Sequence, residues 1–405
     1  VVAGLGAIAA ANACFHYENI AGDGPNLSPR LALAGLTMMI VIVGGRILPS
    51  FTRNWLSKAG HTDFPVPYNG FDRNVILLTI PALASWLFFP DSKITALLAA
   101  IAAAAMVVAA NLAVHRGANL IQSEGELWYA VGIESWVKNI LIADRKLNQT
   151  DSFADIWARP VDFLPIDGGG IRGQVVDLQG RFNVNNIGVG QMTQNNNNAA
   201  TSGPLMYIQQ LDRLLDSIPN FDGSKYHGIG YAIRDWIDAD DQRSGTDGAE
   251  DQDYLGQDPP YRTANQGMSS VSELMLVRGM TKELYAALQP YVAALPGTTT
   301  VTAINVNTAP EPVLMSLASN VNRSALEKFI AARKVQPLSN AADIAGGPLA
   351  FLPAGTARPS TDVKSNYFEV QAEVYIGSGR LALYSVIYRG GSGTPVVLSH
   401  STNTE

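Results

Sequence analysis

The chain changes character once, near residue 116, and that break limits its possible folds more than any motif does. Before it lie four apolar runs with almost no charge, Val1–Phe15, Leu31–Leu48, Val75–Phe89 and Ile94–Val114; no run of that length follows. A helix needs about 20 apolar residues to cross a hydrocarbon core, so the second and fourth runs are expected to span a membrane and the first and third are marginal. Four runs are also too many for a cleavable secretory signal. At 405 residues the chain exceeds what one ordinary core holds, and two or more domains are expected. Its net charge of −7 and 16% charged residues argue against nucleic acid or anionic lipid as the main partner. Cys14 is the only cysteine, which excludes an intrachain disulfide and a cysteine-based zinc site.

From Ala118 to Leu147 apolar residues recur at three-to-four spacing with charges between them, Leu127, Val131, Trp136, Ile140 and Leu141 among them, so an amphipathic helix is expected to continue the fourth run. Gly173–Ile187 alternates like a strand, and Asn366–Gly390 reads as two strands joined at Gly377-Ser378-Gly379. Between these groups the pattern is helical, with capping boxes expected at Ser270-x-x-Glu273, Thr308-x-x-Glu311 and Ser324-x-x-Glu327. The asparagine run Asn195–Asn198 reads as a mobile loop leading into the helical part. The order of long helix, strands, helices, strands predicts an α+β domain interrupted by an all-α domain.

Trp236–Tyr254, "WIDADDQRSGTDGAEDQDY", sets six Asp and one Glu against a single Arg243. Either the segment is a solvated acidic loop or it holds a hard cation, because crowded carboxylates repel one another and a divalent ion removes that cost. The order Asp240, Gln242, Ser244, Gly245, Thr246, Gly248, Asp251 follows EF-hand positions, but Gln242 and the short terminal Asp251 depart from them. Trp236 and Ile237 before the loop, and Pro259-Pro260-Tyr261-Arg262 after it, are expected to pack it, with Arg262 pairing one of the acids.

"VVDLQGRFNVNN", "IRDWIDAD", "GAEDQDYLGQDPPYRTANQGMSSVSELMLVRGM" and "INVNTAPEPVLMSL" resemble the K-class minor pseudopilins of type II secretion systems, the GspK family, over Ala118 to about Gly390. The resemblance implies a pilin-like long helix and antiparallel sheet, interrupted by an inserted all-α, SAM-like or helix-hairpin-helix-like domain. It also implies a place at the tip of a periplasmic pseudopilus, tethered at the bacterial inner membrane, with the I- and J-class minor pseudopilins as partners and calcium in the inserted domain. Calcium is accordingly expected on Asp238, Asp240, Glu250, Asp251 and Asp253. The expected segments are a transmembrane helical segment over 1–116, a pilin-like helix and first strands over 117–202, the inserted helices over 203–355, and returning strands over 356–405.

Two other functions remain open. "SELMLVRGMTKELYAALQPYVAAL" and "INVNTAPEPVLMSLASNVNRSALEKFIAARK" resemble helix-hairpin-helix units, which would make the chain a membrane-tethered module binding protein or DNA; Arg323, Lys328, Arg333 and Lys334 are the only basic residues of the second unit, which favours protein. "DGGGIRG" (Asp167–Gly173) and "DGA" (Asp247–Ala249) match patatin-like hydrolase motifs, but no G-x-S-x-G supplies a nucleophile, and the glycines read as a turn before a strand. His16, His61, His115, His227 and His400 show no ligand spacing, so no catalytic role is expected.

The front of the chain resembles another family. "VGGRILPSFTRNWL" (Val43–Leu56) and its flanking spans resemble the NnrS membrane proteins over roughly residues 1–116, and no pseudopilin leader pattern is present, so prepilin peptidase is not expected to process the chain. Arg46, Arg53, Lys58 and Arg73 place the loop Pro49–Asn74 in the cytoplasm by the positive-inside rule, and two further crossings return the chain there. A pseudopilin domain belongs on the other side, so either one marginal run does not span or the chain joins two unrelated parts, and a join near residues 113–118 is the favoured expectation.

Overall fold

The computed structural model describes residues 2–22, 26–42, 70–190, 203–296, 300–344, 350–352, 359–390 and 393–403. The NnrS-like motif Val43–Leu56, most of the expected cytoplasmic loop and the Asn195–Asn198 run lie outside them. The chain forms two units, Val1–Gly125 and Glu126–Glu405.

The first unit is helical: α1 (Val2–Ala21), α2 (Leu27–Ile42), α3 (Gly70–Phe88) and the start of α4 (Lys93–Leu147). Glu18 organises the turn between α1 and α2, its carboxylate accepting from Leu27 N at 2.7 Å and Ser28 Oγ at 2.6 Å. The bond from Leu27 N satisfies a backbone donor that the first turn of a helix leaves without an intrahelical partner. Among the described residues no helix is long and apolar enough to cross a membrane, against the expectation for the second and fourth runs, and residues 43–48 of the second run lie outside them. Helix α2 has 16 residues, α3 contains Pro81, and the second half of α1 carries His16, Glu18 and Asn19. The expected join near 113–118 falls inside the single 55-residue helix α4.

The second unit is built on a five-stranded antiparallel sheet ordered β1-β2-β7-β8-β9, formed by β1 (Val161–Ile166), β2 (Gly169–Asp177), β7 (Tyr367–Ile376), β8 (Gly379–Tyr388) and β9 (Val396–Thr402). Gly168, at φ +77°, makes the β1–β2 turn, so the glycine-rich motif of the hydrolase alternative is a hairpin turn followed by β2 itself. Along α4, Ala130, Ile133, Val137 and Leu141 form one buried stripe at helical spacing. It packs on the alternating inward residues Phe368, Val370, Ala372 and Val374 of β7 and Leu383 and Ile387 of β8.

Strand β2 ends at Asp177, earlier than the alternation suggests. The remainder, up to Gly188, is a pair of 3-10 turns around β3 (Phe182–Asn183). Their buried Asn side chains reach distant backbone: Asn185 Nδ2 donates to Leu295 O at 2.8 Å and Met268 O at 2.9 Å, and Asn186 Nδ2 to Thr302 O at 2.9 Å.

Between β2 and β7 lie α5 (Pro204–Ser217), α6 (Ile229–Ile237), α7 (Asp251–Tyr254), α8 (Lys282–Leu288), α9 (Glu311–Met315) and α10 (Arg323–Ala332), with short strands β4 (Val292–Ala293), β5 (Ile304–Asn305) and β6 (Thr361–Asp362). They enclose a separate core that includes Leu211, Leu214, Ile233, Trp236, Leu284, Leu314 and Phe329. The capping box at Ser270 and Glu273 forms, opening a 3-10 turn. The other two do not: Pro310 caps α9 and Asn322 caps α10, while Thr308 Oγ1 donates instead to Asp177 Oδ2 at 2.6 Å.

Candidate metal centre

Helix α6 buries almost its whole length, so its two charged residues, Arg234 and Asp235, are carried into the interior with it. Asp238, with extended backbone, ends the helix. The chain then loops through 239–249 and returns Glu250 to the carboxylate of Asp235. Asp235, Asp238 and Glu250 each offer an oxygen within 4.8 Å of the others. Asp235 is fully buried and Glu250 is 5% exposed. A Cβ on Gly248 would lie 2.3 Å from Asp235 Oδ2, so only glycine lets the loop close this tightly over the cluster.

The oxygens of the cluster are short of donors. Asp235 Oδ1 accepts from Ser244 N at 2.9 Å, but Asp235 Oδ2, Asp238 Oδ1 and both oxygens of Glu250 have no hydrogen-bond partner. The one cation against them is Arg234, whose Nε lies 3.2 Å from Asp238 Oδ2 while its other nitrogens donate to Ile187 O and Gly190 O. Burial, with added repulsion from Asp235, Asp238, Asp240 and Asp241, pushes the Glu250 carboxyl up to about 7. Burial pushes Asp238 up to about 6; Arg234 opposes the shift, and Asp240 and Asp235 add to it. Asp235 is raised as well, chiefly by burial. Bare buried oxygens of this kind are costly in a protein interior unless a cation answers them. A set made only of carboxylates, with room for backbone carbonyls and water, suits a hard divalent ion.

Two of the five ligands expected from sequence, Asp238 and Glu250, are brought together here. Asp240 is exposed, its Oδ1 accepting from Gln242 N at 2.9 Å, and it adds negative charge at both Asp238 and Glu250. Asp251 accepts from Thr263 N at 3.0 Å, Thr263 Oγ1 at 2.9 Å and Arg262 Nη1 at 2.8 Å, so both of its oxygens already have donors. Asp253 accepts from Arg243 at 2.5 Å, Arg278 at 2.6 Å and Glu250 N at 3.0 Å. The residue that sequence reasoning missed is Asp235, three positions before Asp238 and therefore on the same side of the helix end; that spacing was the available signal. Trp236, Tyr254 and Tyr261 pack edge to face and tilted around the loop, at ring separations of 5.3–6.2 Å, as expected for its flanks.

A second carboxylate group lies at the end of α4, where Asp144, Asp151 and Asp155 also offer oxygens within 4.8 Å of one another. Here Arg389 fills the space, with Nη1 3.1 Å from Asp144 Oδ2 and Nη2 2.6 Å from both oxygens of Asp151.

A long helix laid on an antiparallel sheet, with a helical body inserted between two adjacent strands, is a pilin-like architecture. Residues 180–297 and 304–369 match the family models for type II secretion system protein K, and residues 1–132 match the NnrS protein model. Type II secretion system protein K of Aeromonas hydrophila is 33% identical over 298 residues, covering 71% of this chain and 88% of that protein. The protein K of Pectobacterium carotovorum subsp. carotovorum is 33% identical over 304 residues, covering 72% and 90%. The GspK-GspI-GspJ complex from the type 2 secretion system of enterotoxigenic Escherichia coli contains a chain of similar fold. The TM-score is 0.60 and the identity 26%, over 72% of this chain and all of that one. The chain belongs to the type II secretion system protein K family.

Proposed function

We propose that the chain acts as a K-class minor pseudopilin, a structural component at the tip of the pseudopilus that assembles with I- and J-class partners to move proteins across the outer membrane. The observation that carries this reading is the helix-on-sheet unit with its insert between β2 and β7, on a chain that spans 88% of the Aeromonas relative. The E. coli neighbour was crystallised in complex with GspI and GspJ, which supports the same partnership here. In this reading residues 118–405 work on the periplasmic side of the bacterial inner membrane, and the insert is a SAM-like module that contacts protein. Calcium held by Asp235, Asp238 and Glu250, with Asp240 at the rim, orders the acidic loop of that insert. Four donorless oxygens on those three residues support the ion. The test is co-expression of the full chain with the I- and J-class pseudopilins of the same secretion system. A ternary complex that survives size-exclusion chromatography is expected, and a folded chain that elutes free of both partners would refute the assignment.

A further inference from the structure

An apolar groove of about 320 Å³ runs between α4 and the sheet beneath β1, on the side of Ile156–Pro160. Its walls are Ile133, Val137 and Ile140 of α4 against Ile171, Val175 and Val370 of the sheet. The volume is at the lower end of small-ligand sites, roughly 300–1,000 Å³. Apolar side chains continue around its mouth: Trp136 is 48% exposed, Ile156 54% and Leu164 44%. Burial alone would have turned these three inward, and nothing among the described residues covers them.

The polar groups of the groove are unbalanced in a way that specifies what enters it. Trp157, 2% exposed and packed edge to face on Phe368, has an indole N–H with no acceptor. Two residues on, the exposed guanidinium of Arg159 lines the mouth and has no carboxylate or carbonyl partner among the described residues. Gln174, at the other end, is already bonded to Gln371 at 2.8 Å. The Trp157 N–H is sealed from solvent, so Arg159 alone presents an unanswered donor, a fixed positive charge, beside an aliphatic trench with no carboxylate in its lining.

We propose that this groove binds a single-chain amphiphile with an anionic head, a medium-chain fatty carboxylate, its tail between α4 and the sheet and its carboxylate on Arg159. An apolar tail without a head leaves the guanidinium unanswered, and a cationic head meets it with repulsion. A carboxylate on an aliphatic chain satisfies both parts of the site.

The experiment is calorimetric titration of the full chain with sodium octanoate, decanoate and dodecanoate, and with decanol and decylammonium as head-group controls. Affinity is expected to rise about fourfold per added methylene until the trench is full, the equivalent of roughly 0.8 kcal/mol each. Arg159→Gln should weaken decanoate about fivefold and leave decanol unchanged. Ile140→Trp, which fills the trench, should abolish binding of both. Should that variant melt early, Leu164→Glu at the exposed mouth takes its place, and it must weaken decanoate more than decanol. Binding that ignores Arg159→Gln and the trench variants lies elsewhere on the chain and overturns the proposal, as does the absence of binding at every chain length. A leucine-ending peptide that outcompetes decanoate would make the occupant a protein segment and overturn it equally.

Discussion

At the end of the long helix Asp144 and Asp151 are buried as deeply as Asp235 and Glu250 in the acidic loop, at 2% exposure each against 0% and 5%, but only the first pair meets a guanidinium in full contact. Arg389 reaches Asp144 and Asp151 from 245 and 238 positions away, and Ser365 O takes a further bond from it at 2.8 Å. Next to it Asp177 is satisfied by Thr308 and Ser365 hydroxyls at 2.6 Å each and by Asn305 Nδ2 at 2.9 Å. In the acidic loop Arg234 touches one oxygen of Asp238, and four others have no donor. The contrast separates two ways of burying negative charge. One cluster carries its counter-ion in the chain and serves to tie strands, helix and insert together; the other has a guanidinium on one oxygen and leaves four oxygens without a donor.

The largest expected effect comes from removing the internal counter-ion. Arg389→Ala leaves two buried carboxylates without their counter-charge, and breaking a buried pair in this way costs about 3–5 kcal/mol, to be read from denaturant midpoints at neutral pH. A variant as stable as the parent would mean that Arg389 is not what holds this junction. Next is calcium. An ion bound only by the folded chain stabilises it by about 2.7 kcal/mol at a hundred times its dissociation constant, so chelation should lower the melting temperature and magnesium should restore little. Asp235→Asn with Glu250→Gln should remove the response to calcium, and superimposable melting curves in calcium and chelator for the parent would end the metal reading.

A smaller effect concerns pH. The Asp144 carboxyl is raised from 3.8 to about 6, by burial first and then by Asp155 and Asp151, against the pull of Arg389. Its folded pKa lies above its unfolded one, so this group's contribution to stability is full below about 4 and is lost as pH rises through about 6. In excess calcium, the parent should gain on the order of 1–3 kcal/mol between pH 7 and 4.5 relative to Asp144→Asn. Equal pH slopes for the two chains would contradict the shift. The smallest expected effect is at Asp251, whose partner Arg262 is 72% exposed. Arg262→Ala should leave both the melting temperature and the calcium response unchanged, and a lost calcium response would return Asp251 to the ligand set.

How much of this was legible depends on whether the information is local. Strands β7 and β8 were, because Tyr367–Ile376 and Gly379–Tyr388 alternate cleanly around one short turn. Strands β1 and β9 were not: both lie at sheet edges, with most residues exposed, and no alternation marks them. The 3-10 turns after Asp177 look like strand because their buried asparagines are answered by carbonyls more than 80 positions away. In the acidic loop the sequence announces many carboxylates but not which are bare. Asp253 is withdrawn by Arg278, 25 positions on, and Asp251 by Thr263, 12 positions on, whereas Asp235 joins because α6 is buried on all sides. Donor supply is a tertiary property, and residue type alone does not carry it.

The pairing of β2 with β7 also bears on how the chain reaches this fold. The β1–β2 hairpin and the β7–β8–β9 meander close through short turns and can form early, but Arg172 and Glu373, opposite each other across the β2–β7 ladder, are 201 positions apart. Closing so wide a loop in a disordered chain is entropically unfavourable, and long-range strand pairing is slow for that reason. The insert has its own core, and once collapsed it holds Asn305 and Thr308 against Asp177 and brings β5 alongside β6. Folding of the insert first would turn a remote encounter into a nearby one, so the sheet is expected to be completed last. A lesion in the inserted helices would then slow the assembly of a sheet whose own sequence is intact.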